Sequence, residues 1–537
     1  MAADDTTKSW LRRMSDEVFG IDARSLAAFR WCIALMLLTD LYVRWPTLVD
    51  FQTDQGLWTR ELDREYLIQH LGEWENNPMP EQPLPYWSLH LVRGELWYQQ
   101  TLFAIQAVAA VLLAIGYRTR LMTFISWALL ISMHVRNPVV LNSGDTILRM
   151  LLFWSLFLPL GARWSVDRAF RRSARPSPII VTSMASAAIL IQLCLMYWFT
   201  GLSKYNDIWL SGQALENVLN LDLLARPISK PLLAYPQLLK VLSWATLWAE
   251  LILPCLLFIP WKTSWWRMLN IVAFHLFHIV VLITISVGLF SAISMSAWLL
   301  FLPRGFWNSG IVRGVMGSIF GSGAIVEEDP EAREVGEPRS MLGRLGFMTA
   351  QGIVAAMLVF VIAWNIHRID AGKDSPTYAP IMPTSLHGIG ASLMVSQEFK
   401  MFDTPTSMEF WFVYDAQLKN GDRIDLFSGK PVIASGKPDD VHQRYLDHRW
   451  RRMHANLVYP EYQMFHRPLL EYFVKRWNEN HAPEHQVMSA QLDFYERVTG
   501  AGADESNIAS KTLVRIEPLD PLQRLLESAE RSGTLLP

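Results

Sequence analysis

Long apolar runs alternate with charged loops as far as residue 366, and no run of that kind follows. A helix needs about 20 mainly apolar residues to cross the roughly 30 Å hydrocarbon core of a bilayer. Nine runs approach this length, the third, fourth and eighth being the shortest. The pattern predicts a polytopic helical membrane domain with nine spans, eight being the alternative. The runs lie near residues 26–43, 99–117, 121–135, 146–162, 180–202, 241–260, 268–286, 288–303 and 346–366.

Positive charge in the loops predicts their sides, because cytoplasmic loops are rich in Lys and Arg. The loop after the fourth span, RWSVDRAFRRSARPSP, holds five arginines and is the strongest cytoplasmic signal. Segments 44–98, 136–145 and 203–240 are poorer in Lys and Arg and are predicted to lie outside. Nine spans then give a multi-pass protein of the cytoplasmic membrane, with a cytoplasmic N-terminus and an extracytoplasmic C-terminal domain.

The composition narrows the class of protein further. Hydrophobic residues make up 51% of the 537-residue chain and charged residues 18%, with a formal net charge of -2. This balance predicts a lipid bilayer as partner and no nucleic acid. The three cysteines, Cys32, Cys194 and Cys255, all lie in apolar runs. They predict small buried side chains, with neither a disulfide framework nor a cysteine zinc site.

The change in pattern near residue 366 predicts two domains. Residues 1–366 form the transmembrane domain, which contains a Gly-, Glu- and Pro-rich segment at 317–345 that is typical of a flexible cytoplasmic linker. Residues 367–537 form the extracytoplasmic domain. The predicted fold class is therefore an all-α polytopic membrane domain of about nine transmembrane helices, followed by an α+β domain.

Local signals support the α+β prediction for the second domain. An Asn-Gly pair between apolar runs in MEFWFVYDAQLKNGDRIDLFSG predicts a β-hairpin. VHQRYLDHRWRRMHANLV and RPLLEYFVKRWNEN have helical patterns, and HQVMSAQLDFYERV has the pattern of a strand. A basic cluster in the first of these helices fits either an anionic ligand or a helix face packed on the membrane domain. Its members are His448, Arg449, Trp450, Arg451 and Arg452.

Charged residues inside predicted spans need partners, because a charge at bilayer depth is costly. Arg30 and Asp40 are ten helical residues apart, or roughly 15 Å along the helix axis, so they cannot pair with each other. We expect each to find a partner on another helix. Glu250, within LWAELILPC, is expected to be either protonated or paired.

Two histidines, His275 and His278, lie three residues apart on one face of the seventh span. This spacing fits a core histidine, a catalytic or substrate contact, or the beginning of a metal site. No HExxH pattern accompanies them, and we expect no metal.

The fourth span opens with NSGDTILRMLLFW, in which Asp145 and Arg149 are four residues apart and can pair on one helix face. Asp145 also suits the helix N-terminus, where a negative charge is favoured.

Lys204 ends the fifth span, within YWFTGLSKYNDIWLSG. A lysine at this depth commonly buries its stem and leaves its amine in water. Gly201 would let another helix approach, and Trp198, Tyr205 and Trp209 surround the lysine in sequence. An apolar setting lowers the pKa of an amine, so a neutral Lys204 able to act as a base is the functional alternative.

These residues carry a resemblance to a known family. TGLSKYNDIWLSGQAL resembles the Gly-Leu-x-Lys stretch of vitamin K-dependent gamma-carboxylases and their bacterial relatives, the horizontally transferred transmembrane (HTTM) domain family. Further stretches extend the resemblance over most of the chain. They are SLAAFRWCIALMLLTDLYVRW with FQTDQGLWTR, RNPVVLNSGDTILRMLLFWSLFLPLG, FHLFHIVVLITISVGLF, WFVYDAQLKNGDRIDLF and YLDHRWRRMHANL.

The resemblance implies an activity and a site. In the carboxylases the lysine of this stretch is the proposed base, which deprotonates reduced vitamin K for reaction with O2. The resulting alkoxide removes a proton from the γ-carbon of a peptide glutamate, and CO2 adds there. Lys204 takes the place of that lysine, and His278 that of a functional histidine.

Asp145 stands where the carboxylases have a histidine assigned to carboxylation. The resemblance therefore supports the oxidation of the quinone by way of Lys204 more strongly than the carboxylation of glutamate. The resemblance implies a catalytic set of Lys204, His278 and Asp145, with reduced vitamin K or menaquinone as cofactor. The neighbours of these residues in sequence are expected to bind substrate. They are Trp198, Tyr205, Trp209, Arg149 and Asn142.

Three functions remain open on the sequence. The first is a gamma-carboxylase-like membrane enzyme that oxidises a reduced quinone and acts on a secreted peptide or protein. The second is a membrane oxidoreductase without carboxylation, or a maturation factor for a secreted peptide. The third is a transporter or lipid-binding scaffold that uses Arg30, Asp40 and Glu250 as a polar path.

Overall fold

The chain folds into two compact units, which are described separately. The first comprises Met1–Glu216 and Arg226–Pro405, and the second comprises Asn217–Ala225 and Thr406–Pro537. Most of the second unit lies beyond residue 366, and the domain boundary predicted there stays a prediction. The computed structural model describes residues 10, 13–73, 87–170, 179–320, 341–371, 382–397, 399, 401–433, 437–438, 441–445, 447–499 and 507–516.

The first unit is helical. Its helices of nine or more described residues are α1 Ala23–Arg44, α2 Arg60–Glu73, α3 Leu96–Ile115, α4 Thr119–Arg136, α5 Ser143–Ser155, α6 Met184–Ser203, α7 Pro236–Leu256, α8 Thr263–Thr284, α9 Phe290–Trp298, α10 Gly310–Phe320 and α11 Met341–Ala371. Shorter helices lie at Leu48–Gln52, Val166–Phe170, Asp207–Ser211, Ala214–Asn220, Arg304–Trp307 and His387–Ser392. A two-stranded ribbon joins β1 Ile21–Asp22 to β2 Ile180–Val181.

Every run predicted as a span contains one of these helices. Six helices among the described residues are long and apolar enough to cross a membrane: Ala23–Gln52, Leu96–Ile115, Met184–Ser203, Pro236–Leu256, Thr263–Thr284 and Met341–His367. The third, fourth and eighth predicted spans are the ones outside this set, in agreement with their short runs. The count of nine spans remains a prediction.

Capping residues in the sequence set where three of these helices begin. The Asp22 side chain accepts a hydrogen bond from the Arg24 amide and starts α1. Asn142 and Asp145 form a reciprocal capping box on α5, as Ser183 and Ser186 do on α6. Each cap satisfies amides that a helix start leaves without acceptors, and is worth about 1 kcal/mol.

The centre of the first unit is made by α1, α5, α6 and α9. Helix α1 packs on α3 and α9, α5 packs on α4, α6 and α9, and α6 packs on α7 and α11. Their shared core is rich in Leu, Ile, Phe and Trp, with Trp154 and Trp298 fully buried. The outer faces of α7, α8 and α11 carry exposed apolar side chains, as lipid-facing helices do.

Part of the predicted linker 317–345 can be compared with the structure. Residues 317–320 end α10 and residues 341–345 begin α11, so both ends of the segment are helical. Residues 321–340 lie outside the described part of the chain.

The second unit contains an antiparallel five-stranded sheet in the order β5-β4-β3-β6-β7. The helices α12 His448–Asn456 and α13 His466–Asn480 and a short helix at Val441–Arg444 accompany it. The segment 217–225 belongs here because Asp222 pairs with Lys437 and Leu223 packs on Val441. The strands are β3 Met408–Leu418, β4 Arg423–Asp425, β5 Lys430–Pro431, β6 Val487–Val498 and β7 Ile508–Ile516.

The local predictions for the second unit are confirmed. The Asn420-Gly421 turn joins β3 to β4, and the two segments with helical patterns contain helices. In the basic cluster Arg449, Trp450 and Arg451 are buried. The two alternatives for this cluster, an anionic ligand or a helix face packed on the membrane domain, stay predictions.

Candidate functional site

Lys204 is buried at the C-terminal end of α6, with 2% of its surface exposed. Its Nζ lies 2.7 Å from each carboxylate oxygen of Glu250 on α7. The same nitrogen is 5.0 Å from the centre of the Trp209 ring, a cation–π distance. Lys204 is thus an inward-facing residue, and the snorkelling alternative is wrong.

Gly201 allows the helix contact that brings the pair together. A β-carbon at this position would lie 3.3 Å from Glu250 Cβ and 2.8 Å from Leu251 Cδ2. Helices α6 and α7 can approach this closely because residue 201 has no side chain. The predicted role of Gly201 as a site of close approach is confirmed.

Trp209 is held by the loop that follows Lys204. Asn206 caps the short helix Asp207–Ser211, and its Nδ2 donates a hydrogen bond to the Asp403 carbonyl. The Trp209 indole N–H is shared between the carbonyls of Phe402 and Asp403, at 2.8 and 3.1 Å. A segment about 190 residues away in sequence therefore positions the ring beneath the lysine amine.

Trp198 and Tyr205 take other positions. Trp198 stacks on Phe258 with 5.9 Å between ring centroids and is partly buried. Tyr205 is 60% exposed. Their predicted role in substrate binding remains a prediction.

His278 lies in a buried aromatic cluster on α8. Trp298 donates its indole N–H to the Tyr197 hydroxyl at 2.9 Å, and Tyr197 lies 2.7 Å from His278 Nε2. In the tautomer in which Tyr197 donates its proton to Nε2, a neutral imidazole carries its own proton on Nδ1. Nδ1 is buried and has no hydrogen-bond partner among the described residues.

The other histidine of the pair has a local contact. His275 Nδ1 lies 2.7 Å from the Ile271 carbonyl one turn earlier in the same helix. His278 is thus the residue of the two with an unused ring nitrogen. No group of three or more His, Cys, Asp or Glu side chains in the described part of the chain is arranged to hold a metal ion.

The lysine pair and the histidine cluster interact electrostatically. Lys204 is close enough to His278, and Glu250 to Tyr197, for their charges to act on each other. Tyr197 and Lys204 both belong to the last two turns of α6. Tyr197, which contacts His278, and Lys204, which directly follows the helix, thus lie at the same end of α6, and the catalytic roles of Lys204 and His278 remain predictions.

Asp145 has a different set of partners. Its Oδ2 accepts the Asn142 backbone N–H at 2.9 Å, and its Oδ1 lies 2.5 Å from Arg44 Nη2. Arg44 also holds Asp40, at 2.8 Å, one turn earlier on α1. Both Asp145 oxygens therefore have structural partners, and Asn142 is a cap that lies beside them.

Arg149 does not form the predicted pair with Asp145. Its Nη1 lies 3.0 Å from His134 Nδ1, and its Nε donates to the Met394 carbonyl at 2.7 Å. His134 Nε2 in turn lies 3.6 Å from Asp145 Oδ1. Sequence reasoning missed both His134 and Arg44, although the four-residue spacing of Asp40 and Arg44 was a usable signal.

The proposed polar path has no continuous set of contacts. Arg30 donates to the backbone carbonyls of Ala114, Leu160, Arg163 and Trp164. Asp40 pairs with Arg44 on its own helix and Glu250 pairs with Lys204. The expected partner on another helix is thus present for Arg30, Asp40 has Arg44 on its own helix, and Glu250 is paired.

A packing contact connects the Asp145 region with His278. A β-carbon on Gly144 would lie 3.0 Å from the backbone nitrogen of Phe290, so α5 approaches α9 closely there. Phe290 in turn makes an edge-on contact with His278, with 5.6 Å between ring centroids. Asp145 follows Gly144 directly, so its region reaches the histidine cluster through one aromatic residue.

Comparison with known families agrees with the resemblance read from the sequence. The sequence model of the HTTM domain matches residues 70–306, which include Asp145, Lys204, Glu250 and His278. No curated protein and no solved structure gave a match. Together with the six long apolar helices, the match indicates a membrane protein. Residues 70–306 of the chain are therefore similar to the HTTM domain.

Proposed function

We propose that the protein is a membrane enzyme of the vitamin K-dependent carboxylase-like class, which deprotonates a reduced quinone for oxidation by O2. The observation that carries the proposal is the buried Lys204–Glu250 pair beside a histidine with an unused ring nitrogen. Carboxylase-like proteins of this class carry the HTTM domain that matches here. The quinone is reduced vitamin K or menaquinone, and O2 is the oxidant.

The pair supplies the base. In a low-dielectric interior the neutral forms of an amine and a carboxylic acid compete well with the ion pair, because each charged group loses its hydration. A proton that moves from Lys204 Nζ to a Glu250 oxygen leaves an uncharged amine. Nζ can then take a proton from a quinol hydroxyl.

His278 and its neighbours fit a quinone ring. The Nδ1–H of His278 is a buried donor without an acceptor among the described residues, and a quinone-type oxygen is such an acceptor. Phe277 and Phe290 contact the imidazole edge-on, with 5.1 and 5.6 Å between ring centroids. This hydrogen bond would stabilise the negative charge that develops on the quinol oxygen when Lys204 Nζ removes its proton.

The reduced quinone, when bound, supplies with O2 the strong base needed to remove a proton from the γ-carbon of a peptide glutamate, where CO2 then adds. The role of the chain is to hold the ring, keep water away and accept the first proton. The substrate of the second half-reaction is a secreted peptide or protein, on the extracytoplasmic side of a cytoplasmic membrane.

The contacts of Asp145 favour a second candidate, which is quinol oxidation without carboxylation. Both of its oxygens are held by Arg44 and by the cap of α5. A carboxylate held in this way cannot perform the proton chemistry of the histidine that the carboxylases have at this position. The protein would then modify or mature a secreted peptide by another oxidation.

One experiment tests the base and separates the two candidates. The purified protein in detergent is given chemically reduced menaquinone or vitamin K and O2, and the quinone epoxide is measured by mass spectrometry. We expect epoxide from the wild type and at least about a hundredfold less from Lys204→Ala, in line with the usual effect of a general base. Unchanged epoxide in that variant would reject the role of Lys204.

Lys240→Ala is the matched control, because Lys240 also lies over a tryptophan, Trp244, at 5.2 Å. It should keep full activity. The same reactions are run with Glu-containing peptides and CO2. A mass increase of one carboxyl group supports the first candidate, and epoxide without carboxylated peptide supports the second.

A further inference from the structure

Arg136 is a further buried cation. It lies at the C-terminal end of α4, outside the contacts described so far. It is fully buried, and its Nη2 donates to the Trp58 carbonyl at 2.6 Å. The Nε and Nη1 atoms have no hydrogen-bond acceptor in the described part of the chain. Three N–H groups of a charged side chain are thus left unused in the interior.

Among the buried arginines of the same unit, Arg267 leaves only its Nε without an acceptor in the described part of the chain, and Arg30 leaves no nitrogen without one. Arg30 is also fully buried, and all three of its nitrogens donate to backbone carbonyls. Buried polar groups are nearly always satisfied, and exceptions call for a specific cause. Arg136 is such an exception, because its N–H groups suit acceptor atoms that the chain does not provide.

The carboxylates near Arg136 offset its charge only in part. Asp54 Oδ1 is 3.7 Å away, but Asp54 is partly exposed and its other oxygen pairs with Arg60 at 2.6 Å. Asp63 is buried and accepts the Trp58 indole N–H at 2.9 Å. Burial raises the pKa of Asp63 from its usual 3.8 to about 7, so near neutral pH it carries only part of a charge.

His90 supplies a second unused donor close to Arg136. The His90 backbone N–H donates to Ser132 Oγ at 3.1 Å, and Ser132 Oγ lies 2.7 Å from His90 Nδ1. We assign to His90 the tautomer in which the serine proton points at Nδ1, and the neutral ring then carries its own proton on Nε2. That Nε2 is buried with no partner among the described residues.

His90 is neutral for two reasons that the structure supplies. Burial and the positive charges of Arg136 and Arg44 together lower its pKa to about 3. The charge of Arg136 thus reaches the imidazole. One turn of α4 separates Ser132, which orients His90, from Arg136.

Three side-chain oxygens of nearby residues also lack a hydrogen-bond donor in the described part of the chain. Gln99 donates both protons of its amide nitrogen, to the His90 and Arg93 carbonyls, so its oxygen faces elsewhere without a donor. The side-chain oxygen of Asn137, next to Arg136, is in the same state, as is that of Gln52. A ligand that also carries a hydroxyl would match these oxygens.

We propose that Arg136 and His90 form a binding site for a small oxyanion of the carboxylate type. Such an anion supplies negative charge and acceptor oxygens, which are what the unused N–H groups of Arg136 and His90 lack. Two sources share this chemistry: free bicarbonate, whose hydroxyl also suits the unused amide oxygens, and the carboxylate of a peptide glutamate. The site lies apart from Lys204 in its contacts, and its test does not depend on quinone oxidation.

The test measures anion binding to the full-length protein in detergent, after exchange into a chloride buffer free of bicarbonate. Equilibrium dialysis is performed with ¹⁴C-bicarbonate, with ¹⁴C-acetate as a simple carboxylate and with a labelled Glu-containing peptide. We expect saturable binding of one equivalent by the wild type. The ligand that binds more tightly identifies the source.

Variants assign the binding to Arg136. Arg136→Gln should weaken binding at least about tenfold, and His90→Phe should weaken it to a smaller degree. Arg60→Gln, at an exposed arginine beside the same Asp54, should bind as the wild type does. If Arg136→Gln does not fold, Arg136→Lys keeps the charge while removing two N–H groups, and it should bind more weakly.

Three results would overturn the proposal. They are no saturable binding by the wild type, binding unchanged in Arg136→Gln, and equal displacement by chloride. The first would mean that only water occupies the site.

Discussion

Lys204 Nζ lies at the same distance, 2.7 Å, from both oxygens of the Glu250 carboxylate. Each side chain is almost completely buried, and the two residues are 46 positions apart on neighbouring helices. The pair is thus a long-range contact that fixes α6 against α7. The two side chains are coupled through the proton that lies between them, so the effect of changing one depends on whether the other remains.

Removing one member of this pair should destabilise the protein more than removing both. Lys204→Met leaves a buried carboxylate without a partner, and we expect a loss of about 3–5 kcal/mol. The double variant Lys204→Met/Glu250→Leu should recover most of that loss. Chemical unfolding in detergent measures both, as a double-mutant cycle.

Lys240→Met is the control for the cycle, since Lys240 has the same residue type and an aromatic neighbour. Additive effects of the two changes would show that the pair is not coupled in the folded protein.

Loss of the Tyr197 hydroxyl should affect quinol oxidation through His278. Tyr197→Phe removes the group that orients the His278 ring and leaves the Trp298 indole N–H without its acceptor. We expect a loss of about 1–3 kcal/mol in stability. If His278 donates through Nδ1, the rate of epoxide formation per folded protein should also fall by about tenfold or more.

Tyr205→Phe serves as the comparison, because Tyr205 is exposed. It should leave stability unchanged. Equal epoxide formation by folded Tyr197→Phe and wild type would exclude an orienting role for Tyr197.

A methyl group at Gly201 should separate α6 from α7. It would lie 2.8 Å from Leu251 Cδ2 and 3.3 Å from Glu250 Cβ. We expect Gly201→Ala to cost about 1–3 kcal/mol by overpacking. Leu251→Ala in the same chain should restore part of it, and thermal unfolding followed by tryptophan fluorescence measures the change.

Gly352→Ala gives a matched control on α11, where a new methyl group meets nothing within 4 Å. It should be neutral or slightly stabilising, because alanine favours a helix over glycine. A neutral Gly201→Ala would mean that the two helices can move apart freely.

Because of Asp63, the free energy of unfolding should fall as the pH rises from about 4 to about 7. Burial raises its pKa to about 7 in the folded protein, against 3.8 usually. Between these values the folded protein holds a proton that the unfolded chain has lost, so the free energy of unfolding falls with increasing pH. Asp63→Asn should remove this slope between pH 4 and 7.

Asp54 should make the free energy of unfolding rise with increasing pH, and Asp54→Asn should remove that rise. Burial alone would raise the pKa of Asp54, but its hydrogen bonds with Arg60 outweigh that effect and lower it. The wild type therefore loses the contribution of Asp54 as the pH falls, and the variant lacks it throughout. Melting temperatures measured from pH 4 to 8 test both, and identical slopes in Asp63→Asn and wild type would contradict the first.

The sequence predicted well what depends on neighbouring residues. The turn at Asn420-Gly421 and the capping role of Asp145 follow from short patterns, and the structure contains both. The position of Gly201 three residues before Lys204 likewise indicated a close helix contact. Each of these features is set within one turn of helix or one hairpin.

Partners from distant helices could not be predicted in the same way. The apolar pattern gave each helix an approximate position in the chain but not its neighbours, so Glu250 was not matched with Lys204, nor Arg44 with Asp145. Arg136 was missed because its marker is a lack of acceptors in space, for which no sequence pattern exists. The exposed position of Tyr205 also depends on how the chain turns after α6.

The carbonyls of Phe402 and Asp403 hold the indole of Trp209, and Met394 holds Arg149. These backbone groups lie far beyond residue 306, where the HTTM match ends, and Arg44 lies before residue 70, where it begins. A fragment trimmed to the family boundaries would therefore lose the groups that lock Trp209, Arg149 and Asp145 in place. In this chain the region that matches the HTTM model is thus smaller than the set of residues that hold these side chains in place.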